Sequence, residues 1–337
     1  MSSSAIGLAL FVFGGAGVAT ALLTPLVRRY LLWRQLLDQP SMRRSHCVPT
    51  PRGGGIALIF IYGSGIIALH SYGLLDQAWY RALLGAGALV ALVSVWDDHR
   101  PLAVHWRLVG HSAAVAWLLY CLGLPQWWQF PGSDGVPILL VGGGLIWLIN
   151  LYNFMDGIDG LAAGQTLVAG LAAAALPGVG SIVWLLVLMA GGCAGFLLWN
   201  RPPARIFMGD SGSCLLGCLW AVVLLIGIQQ PSEGLPLAVG LILLGVFWVD
   251  ASWTLLRRLL TGQRWWQAHR DHAYQHAAQR YGHAAVTGAV MAITLLWLWP
   301  WAYWVVRYPQ WAVLAVVMAW LPLLILALRF KAGGCQP

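Results

Sequence analysis

Residues 5–27, AIGLALFVFGGAGVATALLTPLV, hold no charged side chain and are followed at once by Arg28 and Arg29. About 20 apolar residues suffice to cross the ~30 Å hydrocarbon core of a bilayer, so this run reads as a transmembrane helix. Its positive residues come after the apolar stretch, the reverse of a secretory signal peptide. The run is therefore expected to stay in place as a first span, with the N-terminus periplasmic.

Working outward, ten more apolar stretches follow, near residues 53–69, 82–96, 108–124, 136–152, 161–176, 181–199, 212–228, 235–256, 284–305 and 311–328. The chain is 60% hydrophobic and 9% charged, with mean hydropathy +0.74. A water-soluble domain of that composition would expose apolar surface everywhere. The expected fold is an all-α, polytopic integral membrane protein of about eleven helices forming one transmembrane domain over 1–337. Several stretches are short for a full span, which calls for tilt or broken ends.

With the N-terminus outside, 17 of the 19 lysines and arginines fall on one face, and only Arg81 and Arg307 fall on the other. The positive-inside rule makes that face cytoplasmic and puts the C-terminus there too. The +8 charge is thus a property of one face, suited to anionic headgroups and to a phosphate-bearing substrate. No nucleic-acid module is visible. Trp127, Trp128 and Tyr308 outside, and Trp33, Trp265 and Trp266 inside, fit interfacial aromatic belts.

The carboxylates are equally one-sided. Asp97 and Asp98 lie in SVWDDHRP (94–101), Asp156 and Asp159 in NFMDGIDGLA (153–162), and Asp210 in IFMGDSGS (206–213), each where an apolar stretch meets a polar loop. Ionisable groups at membrane helix ends need pairing, hydration or a metal, so their convergence suggests a site. Hard oxygen ligands beside arginines are what magnesium and phosphate require. Taken singly, each has a plainer reading: a polar helix stop for Asp97 and Asp98, a solvated cap for Asp156 and Asp159, and a helix cap for Asp210.

AHRDHAYQHAAQRYGH (268–283) sets His269, His272 and His276 at helical spacing. That is either a metal- or phosphate-binding face or an amphipathic helix in the lipid boundary. The six cysteines show no CxxC pairing and read as packing residues. The glycine runs at 53–55 and 142–144 read as sites of close helix packing or, alternatively, of lipid access.

The motifs DDHRP, NFMDGIDGLA and GFLLWNRPPARIFMGDSGS (195–213), in this order, resemble the polyprenyl-phosphate N-acetylaminosugar-1-phosphate transferases. That family includes the phospho-N-acetylmuramoyl-pentapeptide translocases and the O-antigen-initiating enzymes. The resemblance runs from LDQPSMRRSHCVPTPRGGG (37–55) to the histidine loop. It implies transfer of a sugar phosphate from a UDP-N-acetylaminosugar to undecaprenyl phosphate, with release of UMP, at cytoplasmic loops 28–52, 97–107, 153–160, 200–211 and 257–283.

By the same resemblance Asp210 is the principal ligand of Mg2+, with Mn2+ as a substitute. Asp97 and Asp98 handle the lipid phosphate, one of them as base, and Asn153, Asp156 and Asp159 line the nucleotide-sugar site. Asn200 and Phe207 contact the nucleotide, with Gly157 and Ile158 doing so through backbone. Arg43, Arg44 and His46 neutralise phosphate, and His269 and His272 bear on sugar recognition, although HRDHAYQH departs from the near-consecutive histidines common in the family. Oligomeric state is left open, a homodimer included.

A transporter of an anionic substrate is the rival from another class. It predicts ionisable residues near the bilayer midplane, for which Asp250 is the one strong candidate. A catalytically silent scaffold is a second rival, disfavoured because the aspartates are all present.

Overall fold

A computed structural model describes residues 3–38, 49–124, 135–230, 232–264 and 269–334. Its helices are α1 (Ser3–Trp33), α2 (Gly55–Ser71), α3 (Gln77–His99), α4 (Val104–Leu122), α5 (Gly135–Phe154), α6 (Leu161–Ala174) and α7 (Val183–Asn200). They continue with α8 (Asp210–Gln229), α9 (Leu237–Leu243), α10 (Gly245–Leu260), α11 (Ala273–Tyr281), α12 (His283–Ile293), α13 (Trp299–Arg307) and α14 (Ala312–Arg329). The described strands, Leu37–Asp38 and Thr50–Pro51, form a two-residue antiparallel pair. The protein is an all-α, multi-pass membrane protein.

Each of the eleven apolar stretches coincides with a helix or a helix pair. Seven helices are long and apolar enough to cross a bilayer, or eight if α9 and α10 are one bent span, while α2 and α6 are shorter. The span expected at 235–256 is broken by 76° at Leu244. In hydrocarbon a break must find partners for the backbone groups it frees. Gln165, fully buried in α6, donates its Nε2 to Leu243 O at 2.8 Å and accepts Thr294 Oγ1 at 3.0 Å. Thr294 opens a π-helical segment, Thr294–Leu298, between α12 and α13. Gln165 therefore joins two irregularities in neighbouring spans.

At the centre stands α8, buried from Asp210 to Gly227. A helix apolar all round belongs inside a bundle, and α2, α3, α5 and α9 pack around it. Two glycine crossings set the spacing. A Cβ on Gly55 would stand 2.0 Å from the Gly212 backbone nitrogen, and one on Gly195 would stand 2.0 Å from Gly17 O. These contacts bring α2 against α8 and α7 against α1 at backbone distance, as small residues permit. At 142–144, Gly142 packs near Val115 and Leu119, whereas Gly143 and Gly144 face open space.

Candidate active site

At one end of the bundle the C-terminus of α3, the N-termini of α4 and α8, and the loops 49–54, 154–160 and 201–209 converge. The N-terminus of α8 leaves its first N–H groups without helical partners. Asp98 supplies them: its Oδ1 accepts the Asp210 N–H at 3.0 Å and its Oδ2 accepts the Ser211 N–H at 3.0 Å. Oδ1 also accepts Arg52 Nε at 3.1 Å, and the carboxylate is fully buried. Asp98 thus caps α8 from the end of α3.

Asp210 opens α8 with both oxygens taken. Arg52 Nη2 lies 2.5 Å from Oδ1 and Arg107 Nη1 lies 3.3 Å from Oδ2. Arg107 also reaches Asp97 Oδ2 at 3.3 Å, and Asp97 Oδ1 accepts the Leu102 N–H. The two guanidiniums, roughly a third exposed, lie on the solvent side of carboxylates that are nearly buried. Burial disfavours the Arg52 charge, but the Asp210 and Asp98 carboxylates outweigh it and hold its pKa above the usual arginine range. Arg52 is fixed from behind: its residue bridges Phe207, and the Phe207 N–H donates to Pro51 O while Phe207 O accepts the Gly54 N–H.

Asp159 is engaged too. Its Oδ2 accepts the Ala204 N–H at 3.0 Å, its Oδ1 pairs with His283 Nδ1 at 3.3 Å, and its carbonyl accepts Thr287 Oγ1. Asn200 is spent as a bracket, accepting the Gly160 N–H at 3.1 Å and donating to Ile206 O at 2.9 Å. Asn153 donates to Ser213 Oγ. Ile158 is buried, whereas Gly157 is exposed and abuts Tyr274.

Asp156 differs from these. Among the described residues its carboxylate has no recorded hydrogen-bond or ion-pair partner. Burial, then the Asp210 carboxylate, push its pKa well above the usual range, with Arg52 opposing. Three of the five carboxylates therefore pair with the two arginines, and the least compensated of the five lies in the field of Asp210. That arrangement fits a divalent cation. Among the described residues no three Asp, Glu, His or Cys side chains form a ready-made cage, but magnesium keeps several waters and takes one or two carboxylates. Asp210 and Asp156 would hold it.

The histidine loop is organised by a second capping carboxylate. Asp250, buried in α10, accepts the Ala273 and Tyr274 N–H groups at 2.9 Å each and pairs with His272 Nδ1 at 3.2 Å. It caps α11 and so does not stand free as a transporter's midplane carboxylate would. Tyr274 Oη then donates to Phe154 O at 2.9 Å, tying this loop to the 154–160 loop. His269 stacks on His272 with ring centroids 5.0 Å apart, and its buried Nδ1 has no hydrogen-bond partner among the described residues. Burial, with His272 and Arg258 nearby, lowers its pKa to about 3, so its ring is neutral. His276 pairs with Phe330 O and takes no part in the cluster.

Arg43, Arg44 and His46 lie outside the described residues. Arg52 and Arg107, legible in the sequence only as charges of one face, are partners of Asp210. The signals were Arg52's place directly before the 53–55 glycine run and Arg107's place six residues after DDHRP.

A family model described as glycosyl transferase family 4 matches residues 80–228, which contain all five aspartates of the cluster. A probable undecaprenyl-phosphate N-acetylglucosaminyl 1-phosphate transferase of Bacillus subtilis is 28% identical over 254 residues, 72% of this chain and 69% of that protein. A phospho-N-acetylmuramoyl-pentapeptide-transferase of Moorella thermoacetica is 34% identical over 240 residues, 60% of this chain and 70% of that one. A decaprenyl-phosphate N-acetylglucosaminephosphotransferase of Mycobacterium tuberculosis is 32% identical over 206 residues, and there the chain spans about half (51%) of its relative's length. With the aspartate motifs inside the matched region and most of a relative's length covered, the chain belongs to glycosyl transferase family 4.

Proposed function

We propose that this protein transfers an N-acetylaminosugar 1-phosphate from a UDP-sugar to undecaprenyl phosphate, releasing UMP. It would do so at the cytoplasmic face of a bacterial inner membrane, initiating a lipid-linked O-antigen or related envelope polysaccharide. The observation that carries this reading is the cluster of five aspartates and two arginines at the ends of membrane helices, in a chain whose relatives are named for sugar-phosphate transfer to polyprenyl phosphates.

A lipid phosphate oxygen attacks the sugar-proximal phosphorus of the donor, the bond from that phosphorus to the UMP oxygen breaks, and a diphosphate-linked lipid sugar remains. Phosphoryl transfer needs charge neutralisation and in-line placement more than covalent machinery. Arg52 and Arg107 face solvent where an incoming phosphate would meet them. Asp98 already accepts three N–H groups, which leaves Asp97 the better placed to take the residual proton of the lipid phosphate. Bound at Asp210 and Asp156, Mg2+ or Mn2+ would neutralise charge building on the phosphate oxygens.

The donor is an N-acetylated hexosamine or 6-deoxyhexosamine rather than a muramoyl pentapeptide. Support comes from the histidine loop, where Asp271 and Tyr274 interrupt the histidines and Tyr274 is bonded to the 154–160 loop. The test is UMP release by detergent-purified protein given Mg2+, undecaprenyl phosphate and a panel of UDP-N-acetylaminosugars, with Asp210→Asn as control. Lipid-dependent release with one donor, lost in the variant, is the expected result. Folded protein that releases no UMP with any donor refutes the assignment.

A further inference from the structure

Arg107 stands where a cation would have to approach. Asp210 Oδ1 is closed by Arg52 at 2.5 Å, and Arg52 is itself held by Asp98 and by the backbone bridge to Phe207. The remaining oxygen, Oδ2, meets Arg107 at 3.3 Å. Arg107 rises from the first turn of α4, is about as exposed as Arg52, and its contacts to Asp210 and Asp97 are both longer than those Arg52 makes. Asp156, in the same field, has no hydrogen-bond or ion-pair partner among the described residues. Arg52 is therefore held by the backbone bridge and two shorter ion pairs, and Arg107 by two longer ones.

We propose that Arg107 is a mobile counter-charge: on Asp210 Oδ2 it excludes a divalent cation, and a phosphate group arriving from solvent draws it away and opens that oxygen. The inference rests on the reading of Asp210 as a metal ligand and adds an order to it, anion first and metal second. A guanidinium suits the exchange because its fork pairs with phosphate as readily as with carboxylate. By linkage, the factor by which phosphate tightens metal binding is the factor by which metal tightens phosphate binding.

The test is Mn2+ binding to the full purified chain in detergent, followed by loss of the free-ion electron paramagnetic resonance signal. Wild type, Arg107→Gln and Asp210→Asn are each titrated with and without inorganic phosphate, against protein-free blanks. Without phosphate, Arg107→Gln is expected to bind Mn2+ roughly tenfold more tightly than wild type, within the usual range of such couplings. Phosphate is expected to tighten wild type by more than it tightens the variant. Mn2+ affinity in Arg107→Gln equal to or weaker than wild type overturns the proposal while leaving Asp210 as a ligand. Wild-type affinity in Asp210→Asn removes the metal reading itself, and the proposal with it. Should Arg107→Gln not fold, Arg107→Met keeps a long stem without the charge and must also tighten Mn2+ binding, failing which the proposal is refuted.

Discussion

Asp98→Asn is the substitution that separates positioning from chemistry at this site. The Asp98 carboxylate accepts the Asp210 N–H, the Ser211 N–H and Arg52 Nε, and its side chain is wholly buried. An asparagine keeps one oxygen and turns an NH2 group toward a donor, so one cap bond becomes a donor facing a donor. Losing a helix cap costs about 0.5–2 kcal/mol, and losing a charge-assisted bond costs about 1.5–3 kcal/mol. Because the two overlap, a loss of roughly 2–4 kcal/mol is expected, which corresponds to a fall in melting temperature of about 5–10 °C. Asp97→Asn is the comparison. Its carboxylate sits beside a partly exposed Arg107, and the amide oxygen can still take the Leu102 N–H. That variant is expected to melt near wild type while losing turnover. The assay pairs thermal unfolding in detergent, read by size-exclusion recovery, with UMP release. An Asp98→Asn protein that melts like wild type yet has lost turnover would refute the capping argument and return Asp98 to a direct part in the chemistry.

Three further outcomes follow from the same geometry. Asp156 has its pKa raised in the folded protein, so stability is lost as pH rises from the ordinary carboxylate range, near 3.8, toward that raised value; Asp156→Asn should therefore melt above wild type at neutral pH while losing activity, and melting at or below wild type would count against an uncompensated charge there. A Cβ at Gly157 would meet Tyr274 Oη at 2.1 Å, so Gly157→Ala should cost about 1–3 kcal/mol by overpacking. Adding Tyr274→Phe, which removes that oxygen, should return part of the stability, and absence of any rescue in the melting curves would break the proposed contact. At Gly55 the obstacle is Gly212 backbone, which cannot rotate aside, so Gly55→Ala should displace the start of α8 and lower turnover on the order of a hundredfold. Wild-type UMP release by that variant would contradict the α2–α8 crossing.

The helices were legible because bilayer spans leave a composition signal: each apolar stretch, from 5–27 onward, became a helix or a helix pair. The break at Leu244 was not, because residues 235–249 are apolar on both sides of it and hydropathy records no direction. Nor was Gln165 readable as the residue that satisfies Leu243 O, since that depends on α6 lying against the bend. The aspartate motifs pointed to the right end of the bundle. Their division of labour could not be read from spacing, because it depends on which backbone N–H groups and guanidiniums each carboxylate meets.

Asp98 and Asp250 show why. Each lies within one helix and accepts the first two N–H groups of another, α8 in one case and α11 in the other. A carboxylate used this way is held by the peptide groups it holds, so it fixes the next residues in place and has little left for a ligand. Asp98 thereby fixes Asp210, and Asp250 fixes Tyr274, whose hydroxyl reaches the backbone just before Asp156. The two caps thus hold the surroundings of Asp210 and Asp156, the two carboxylates that would hold a metal. Asp210 is covered by arginines that a phosphate can compete for, and Asp156 by no recorded partner among the described residues. Availability to a ligand therefore increases from Asp98 through Asp210 to Asp156. Metal holding in this cluster should follow how readily each carboxylate's partners give way rather than proximity along the sequence, which would have grouped Asp98 with Asp97.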